Sequence, residues 1–151
     1  MECLHEKWMK LALNEARLAA KIGEVPIGAV IVSNGEVIAK THNLCETNRS
    51  ATAHAELLAI EEASKKLSSW RLSNCTLYVT LEPCPMCTGA AINARIPKIV
   101  FSAKDPRAGA CGSLVDLPSY PLEAHPEITS GILQEESLAL LRNFFEKIRR
   151  K

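Results

Sequence analysis

Four residues near the middle of the chain have side chains that could hold and use a metal ion. His54 and Glu56 are separated by one residue, Ala55, and Cys84 and Cys87 follow in a P-C-x-x-C sequence that begins at Pro83. One imidazole and two thiolates suit Zn²⁺, and three protein ligands leave a fourth position for water, as in catalytic zinc sites. The spacing predicts zinc on His54, Cys84 and Cys87, with Glu56 as the catalytic base that moves protons.

Each half of this pattern has an ordinary explanation when it stands alone. A single histidine is more often a packing or surface residue than a ligand, and an isolated C-x-x-C can be a redox pair. A thioredoxin-like pair would follow the first strand of a βαβ unit and would need no H-x-E partner. The two halves together, with a spare carboxylate, favour catalytic zinc.

A structural zinc module that binds RNA or protein without catalysis is an alternative. It requires a fourth protein ligand, for which Cys111, Cys75 and His42 are candidates, and it gives Glu56 no role. A Glu56→Gln variant separates the two hypotheses, because only the enzyme would lose its function while keeping zinc and fold.

Length and composition limit the class of protein. The 151 residues, of which 47% are hydrophobic, are enough for one compact domain over residues 1–151 with a substantial core. The 18 Lys and Arg nearly balance the 17 Asp and Glu, so any nucleic acid must be recognised locally. Six cysteines without a secretory leader, and no apolar run of membrane-spanning length, predict a cytoplasmic protein with no membrane contact.

The chain begins with a helix and a hairpin. Residues 4–21 carry apolar side chains at helical spacing, and Gly23 can end that helix. Residues 27–33 form a β-branched run, and residues 36–41 return with alternating polarity. Asn34-Gly35 between them is the preferred two-residue turn of an antiparallel hairpin.

The H-x-E motif is expected at the beginning of the second helix. Thr52 is a candidate N-cap for a helix over residues 53–66, which puts His54 and Glu56 in the first turn. The buried side of this helix is predicted from its larger apolar residues, which are Leu57, Leu58, Ile60 and Leu67.

The cysteine motif is expected at the beginning of the third helix. Residues 75–80 read as a buried strand, and the two prolines of the motif suit the mouth of a helix that continues through Ala94. Cys84 and Cys87 are spaced i, i+3, so both sulfurs lie on one face. The helix N-terminus there favours their thiolate forms.

The remaining elements complete a layered fold. Residues 98–102 form a fourth strand, residues 104–112 form a turn-rich loop of the kind that lines sites, and a short fifth strand lies near Ile128. A last helix over residues 134–150 has an apolar side and a basic end, made of Leu138, Leu141, Phe144 and Phe145, and of Lys147, Arg149, Arg150 and Lys151. This order predicts the α/β class, as a three-layer α/β/α sandwich with a mixed five-stranded sheet.

Longer stretches of sequence resemble a known family. They are residues 8–20, 24–30, Asn43, residues 52–56, residues 80–87, residues 105–113 and Phe144-Phe145. The H-x-E and P-C-x-x-C pair alone is typical of zinc-dependent nucleobase deaminases of the cytidine deaminase-like superfamily. With its flanking residues, the chain resembles the bacterial tRNA-specific adenosine deaminases. The resemblance implies a cytidine deaminase-like fold, a homodimer, and conversion of adenosine to inosine at the wobble position of a tRNA anticodon stem-loop.

The resemblance also implies roles for individual residues. Asn43 would hydrogen-bond the base and the backbone of Ala55 would contact the substrate. Asp105 and Arg107 would lie near the nucleotides that flank the target. Phe145, and more loosely Arg149, correspond to tail residues that meet the anticodon loop. Ordinary alternatives are a turn-forming role for Asn43 and Asp105 and helix packing for Phe145. Glu82 is interpreted as a structural carboxylate rather than a catalytic one.

A free-base or nucleoside deaminase, such as a guanine or cytosine deaminase, is the alternative within the same superfamily. It would use the same zinc site with a different pocket. The Thr80-Leu81-Glu82 stretch, the loop over residues 105–113 and the basic C-terminal turn favour the tRNA enzyme, because an enzyme for a small molecule needs none of them.

Overall fold

The computed structural model describes residues 3–150. Its helices and strands follow the predicted order, with two short additions that the sequence patterns did not indicate: a one-turn helix, α2, and a 3₁₀ turn at Leu117–Ser119. The elements are α1 (Leu4–Lys21), β1 (Gly28–Ser33), β2 (Glu36–His42), α2 (Cys45–Asn48), α3 (Ala55–Leu67), β3 (Cys75–Leu81), α4 (Pro85–Asn93), β4 (Lys98–Ala103), β5 (Glu127–Thr129) and α5 (Gln134–Arg149).

The five strands form one mixed sheet in the order β2-β1-β3-β4-β5. β1 runs antiparallel to both β2 and β3, while β3, β4 and β5 are parallel. Asn34 and Gly35 both have positive φ angles, 52° and 75°, as the tight turn between β1 and β2 requires. Helix α4 makes the crossover between the parallel strands β3 and β4, which a tight turn could not join.

Helices cover both faces of the sheet, which confirms the predicted three-layer α/β/α sandwich. One core lies between the sheet and α3 and α4, and the other lies between the sheet and α1, with Leu140 of α5 packed against it. Successive residues of β1 serve opposite cores, since Ile31 faces the first and Val30 the second. Both helices that begin with the predicted ligands therefore lie in the same layer.

Helix α3 differs from its prediction in its start and in its buried face. It begins at Ala55 with His54 as N-cap, so the expected Thr52 cap is wrong. Its buried residues are Ala55, Glu56, Ala59 and Ala63. The larger residues predicted to be buried are only half-buried or, in the case of Leu67, 40% exposed. Alanines let this helix approach the sheet closely, so the bulky side chains lie along its flanks.

The outer helices also bury less than their apolar patterns indicated. Leu4 at the start of α1 is exposed, and Ser137 is the buried residue of α5. Leu138 and Phe145 of α5 remain 37% and 44% exposed. Lys151, predicted as part of the basic end, lies outside the described residues. Within residues 3–150 no helix is both long enough and apolar enough to span a bilayer.

Candidate active site

Two helix N-termini meet at one point and bring the predicted metal ligands together. His54 is the N-cap of α3, Cys84 is the N-cap of α4, and Cys87 lies in the first turn of α4. The Nδ1 atom of His54 is 3.4 Å from Cys87 Sγ and 3.7 Å from Cys84 Sγ. One ligand atom from each residue lies within 4.8 Å of the other two, so the group could hold a metal ion.

The residues considered as a fourth protein ligand have other partners. The Cys111 thiol is 3.4 Å from the Thr88 hydroxyl, and His42 Nδ1 is 3.0 Å from a Glu15 carboxylate oxygen. None of these joins the group of His54, Cys84 and Cys87 in residues 3–150. The described chain therefore offers three ligands at this point, as a catalytic metal site requires.

The two cysteines differ in their acidity. The Cys87 thiol donates to Cys84, and this bond together with His54 lowers the pKa of Cys84 to about 4 against the effect of burial. The same bond and burial raise the pKa of Cys87 above its usual range. The hydrogen bond that the protonated His54 ring donates to the Cys84 thiolate raises the pKa of His54. Two sulfurs and one imidazole nitrogen, with a thiolate already formed, are the donor set that zinc prefers.

Glu56 lies beside this group in the first turn of α3 and is almost completely buried, with 4% of its surface exposed. Burial raises the pKa of its carboxyl to about 7, although its own backbone N–H and His54 oppose the shift. A carboxyl with a pKa near neutrality can both accept and donate a proton at physiological pH, which general acid–base catalysis requires.

A cavity of about 630 Å³ opens onto the ligand group and Glu56. Four of the residues singled out from the resemblance line it, namely Asn43, Ala55, Asp105 and Phe145. Arg107 lies instead in a neighbouring cavity of about 450 Å³, which shares Asp105 and Phe145 with the first. Arg149 lines neither cavity.

Glu82 organises the loop that forms one wall of the main cavity. Its buried carboxylate accepts hydrogen bonds from the backbone N–H groups of Asp105, Cys111 and Ser113, at 3.0, 3.0 and 3.1 Å, and from the Ser113 hydroxyl. Gly109 packs so closely on this carboxylate that a Cβ there would collide with it. The interpretation of Glu82 as a structural carboxylate agrees with these contacts.

The sequence reasoning missed Glu24, which lines the cavity from the turn between α1 and β1. Glu24 belongs to a stretch that carried the family resemblance, but no spacing rule marked it as a site residue. Its partners lie about twenty positions further along the chain, so only the folded structure brings them together.

The fold and this site define a deaminase of the cytidine deaminase-like architecture. The MafB19-like deaminase model matches residues 3–149. The tRNA-specific adenosine deaminase of Bacillus subtilis strain 168 is 52% identical over 97% of this chain and 91% of its own length. The chain therefore belongs to the MafB19-like deaminase family, and within it to the tRNA-specific adenosine deaminases.

Solved structures show the same likeness. One structure comes from studies of A-to-I editing by tRNA:A34 deaminases at the wobble position of transfer RNA. It has a TM-score of 0.87 at 44% identity, and the match covers 89% of this chain and 99% of that chain. A guanine deaminase from Bacillus subtilis has a TM-score of 0.67 at 33% identity, with 95% of each chain covered. The fold is thus shared with enzymes of both substrate classes.

Proposed function

We propose that this protein hydrolyses adenosine to inosine and ammonia at the wobble position of a tRNA anticodon. The observation that carries the proposal is the His54, Cys84 and Cys87 group beside the buried Glu56, at a cavity of about 630 Å³. That volume is within the range of pockets that take small molecules or a single flipped nucleoside.

Zinc is the metal that this donor set suits, with His54, Cys84 and Cys87 as its ligands. Bound zinc would lower the pKa of a water molecule and so supply the nucleophile at neutral pH. Cys84 is the N-cap of α4 and Cys87 lies in its first turn, where the helix dipole stabilises negative charge on both sulfurs.

Glu56 is proposed as the group that moves the protons. Its carboxylate takes a proton from the attacking water and delivers it to a ring nitrogen of the base. As the water oxygen bonds to the amine-bearing carbon of the base, Glu56 transfers the remaining hydroxyl proton to the amine nitrogen, and the C–N bond breaks to release ammonia. Burial beside the ligands keeps its pKa near 7, so one side chain can serve in both directions.

The walls of the cavity would hold the base and its neighbours. The Asn43 amide can donate and accept hydrogen bonds, the backbone of Ala55 lies at the start of α3, and Asp105 and Phe145 also line the cavity. Arg107 lines the adjoining cavity and would contact the next nucleotide. A base in an anticodon loop can reach such a site without the cost of leaving a duplex.

A guanine or other free-base deaminase is the second candidate, since a guanine deaminase shares the fold. The cavity around Arg107 and Lys104 favours the tRNA reading, because a free base would leave it unused. We further propose that residues 1–151 act as one deaminase domain in a cytoplasmic homodimer whose second subunit completes the RNA-binding surface.

The test is incubation of the zinc-loaded protein with an anticodon stem-loop that carries adenosine at the wobble position. Free adenosine, guanine and cytosine are assayed in parallel, and products are analysed as nucleosides and bases. Inosine formed in the stem-loop alone, and absent with Glu56→Gln, is the expected result. Turnover of a free base would support the second candidate instead, and no turnover with zinc fully bound would support the structural module.

A further inference from the structure

Glu24 is a buried carboxylate in the wall of the cavity that the proposed mechanism does not use. Only 1% of its surface is exposed. Among residues 3–150, all four of its hydrogen bonds come from one short segment, residues 43–47. The donors are Asn43 Nδ2 at 3.5 Å, the backbone N–H groups of Glu46 at 3.2 Å and Thr47 at 2.6 Å, and the Thr47 hydroxyl at 2.6 Å.

These donors keep Glu24 in its charged form. Burial raises the pKa of the carboxyl. The hydrogen bonds from Thr47 and Glu46, together with the nearby His42, lower it by more, so the pKa of Glu24 lies below its ordinary value. An ionised carboxylate can only accept hydrogen bonds. Every group that faces Glu24 must therefore be a donor.

This restriction fixes the direction of the Asn43 side chain. The amide must turn its NH₂ group toward Glu24, which leaves its oxygen on the other side, where the Cys45 thiol donates to it at 3.1 Å. The Asn43 backbone is held separately, since its N–H donates to the Ile27 carbonyl at 3.1 Å. One N–H and one lone pair of the amide remain for a ligand in the cavity that Asn43 lines.

We propose that Glu24 is a positioning residue that acts through Asn43, holding the amide in the one orientation that matches the donor and acceptor pattern of the target base. This inference rests on the proposed function, because it takes Asn43 as a base contact. An amide that can rotate by 180° would offer the base a donor where it needs an acceptor. An edge of adenine that pairs with an amide presents one donor and one acceptor side by side, so orientation decides recognition.

The sharpest test is a double-mutant cycle of Glu24→Gln and Asn43→Ala, measured as kcat/KM on the wobble-adenosine stem-loop. Glu24→Gln keeps the size of the side chain but points an N–H group at groups that are themselves donors. We therefore expect kcat/KM to fall by about 10- to 100-fold, which is within the usual range for directly coupled residues. In the Asn43→Ala background the same substitution should cost less than about twofold. Losses that multiply would overturn the proposal, because Glu24 would then act independently of Asn43.

A second measurement follows the amide itself and needs no substrate. In ¹⁵N-labelled protein the two Asn43 side-chain N–H signals, assigned by their loss in Asn43→Ala, should differ strongly in shift and exchange because one of them is bonded to Glu24. In Glu24→Gln the two should converge. Unchanged signals would refute the positioning role. Absence of any turnover by the wild-type protein would refute the proposed function and leave this measurement valid.

Controls separate positioning from general damage. Glu36→Gln makes the same change on an exposed residue at the far end of the strand that leads to Asn43, and it should leave both readouts unchanged. If Glu24→Gln does not fold, Glu24→Asp is used, since it keeps the charge and shortens the reach. Its smaller loss should likewise disappear in the Asn43→Ala background, and persistence of that loss would count against the proposal.

Discussion

The two ligand cysteines differ in whether they carry a proton. Without metal, the pKa of Cys84 is lowered to about 4, so Cys84 is the thiolate, while the raised pKa of Cys87 means that this thiol keeps its proton. The proposed zinc requires both thiolates, so binding must release the Cys87 proton. Cys111, although buried nearby, donates to or accepts from Thr88 and has no part in this exchange.

Zinc content should therefore separate the cysteines. Cys84→Ala and Cys87→Ala should each reduce bound zinc from one per chain to a small fraction, because two remaining protein ligands hold zinc weakly. Cys111→Ala, the matched buried control, should keep full zinc. Metal analysis of the purified variants after dialysis checks this. Zinc loss in Cys111→Ala would favour a four-ligand structural site.

Glu56→Gln should behave differently from the ligand variants. It removes the proton-transfer group and keeps the shape of the side chain, so we expect zinc content to stay at the wild-type level. The rate of deamination should fall by about 10²- to 10⁴-fold, the usual contribution of a general acid–base. Single-turnover kinetics on the stem-loop measure this loss. A variant that retains its rate would exclude Glu56 as the catalytic base.

The motif residues were predictable from the sequence because their spacing is local. His54 with Glu56 and Cys84 with Cys87 are each set by one helix start, and helix starts leave recognisable patterns. Glu24 was not predictable, because a buried carboxylate is identified by its donors. Three of the four donors come from α2, a four-residue helix with no apolar pattern of its own, and the fourth is the Asn43 amide just before it.

At the scale of the element, Glu82 holds the loop after β4 against the start of α4. Burial raises the pKa of the Glu82 carboxyl, but the hydrogen bonds from Ser113, Asp105 and Cys111 lower it by more, so the pKa lies below its ordinary value. The folded protein therefore binds fewer protons at this carboxyl than the unfolded chain does. Its contribution to stability is fully present above about pH 4.5, the ordinary value, and is lost as pH falls through the lower folded pKa.

Glu82→Gln should therefore destabilise the protein by about 2 to 3 kcal/mol, because a buried amide cannot satisfy all four donors. The loss should shrink as the pH is lowered below 4.5, where the wild-type protein loses the same contribution. Urea unfolding at pH 7 and at pH 3 measures both. An equal loss at the two pH values would contradict the charge-based explanation.

The helices show why element order was easier to predict than burial. The apolar periodicity of α1 gave its bounds, and the Asn34-Gly35 turn gave the hairpin. The buried face of α3 was wrong because alanine contributes little to a hydrophobic pattern while permitting the closest approach to a sheet. Helix packing distance is a property of two surfaces, and one sequence segment describes only one of them.

At the scale of the whole molecule, the near-neutral charge limits how the chain can bind RNA. With a net charge of +1, binding cannot depend on a broad cationic field. The second cavity is lined by Lys104 and Arg107 and by the aromatic ring of Phe145, with Leu138 and Leu141 beside them. Such a surface can combine one or two phosphate contacts with stacking of a base.

The affinity for the stem-loop should therefore depend weakly on salt. Each phosphate contact in single-stranded RNA contributes about 0.7 to the slope of log K against log salt concentration. We expect a total slope of only a few units, and Arg107→Ala should reduce it by about 0.7. Fluorescence anisotropy over a salt series gives both slopes. A slope unaffected by Arg107→Ala would exclude this arginine from the phosphate contacts.

The position of the ligands at two helix starts has a consequence for how the chain folds. His54 and Cys84 are 30 positions apart, and the segment between them contains the whole of α3 and β3. A metal held by both would close this segment into a loop, as a cross-link does, and would remove much of the entropy that the unfolded chain gains there. The ion that serves the chemistry would then also act as a cross-link between the starts of α3 and α4.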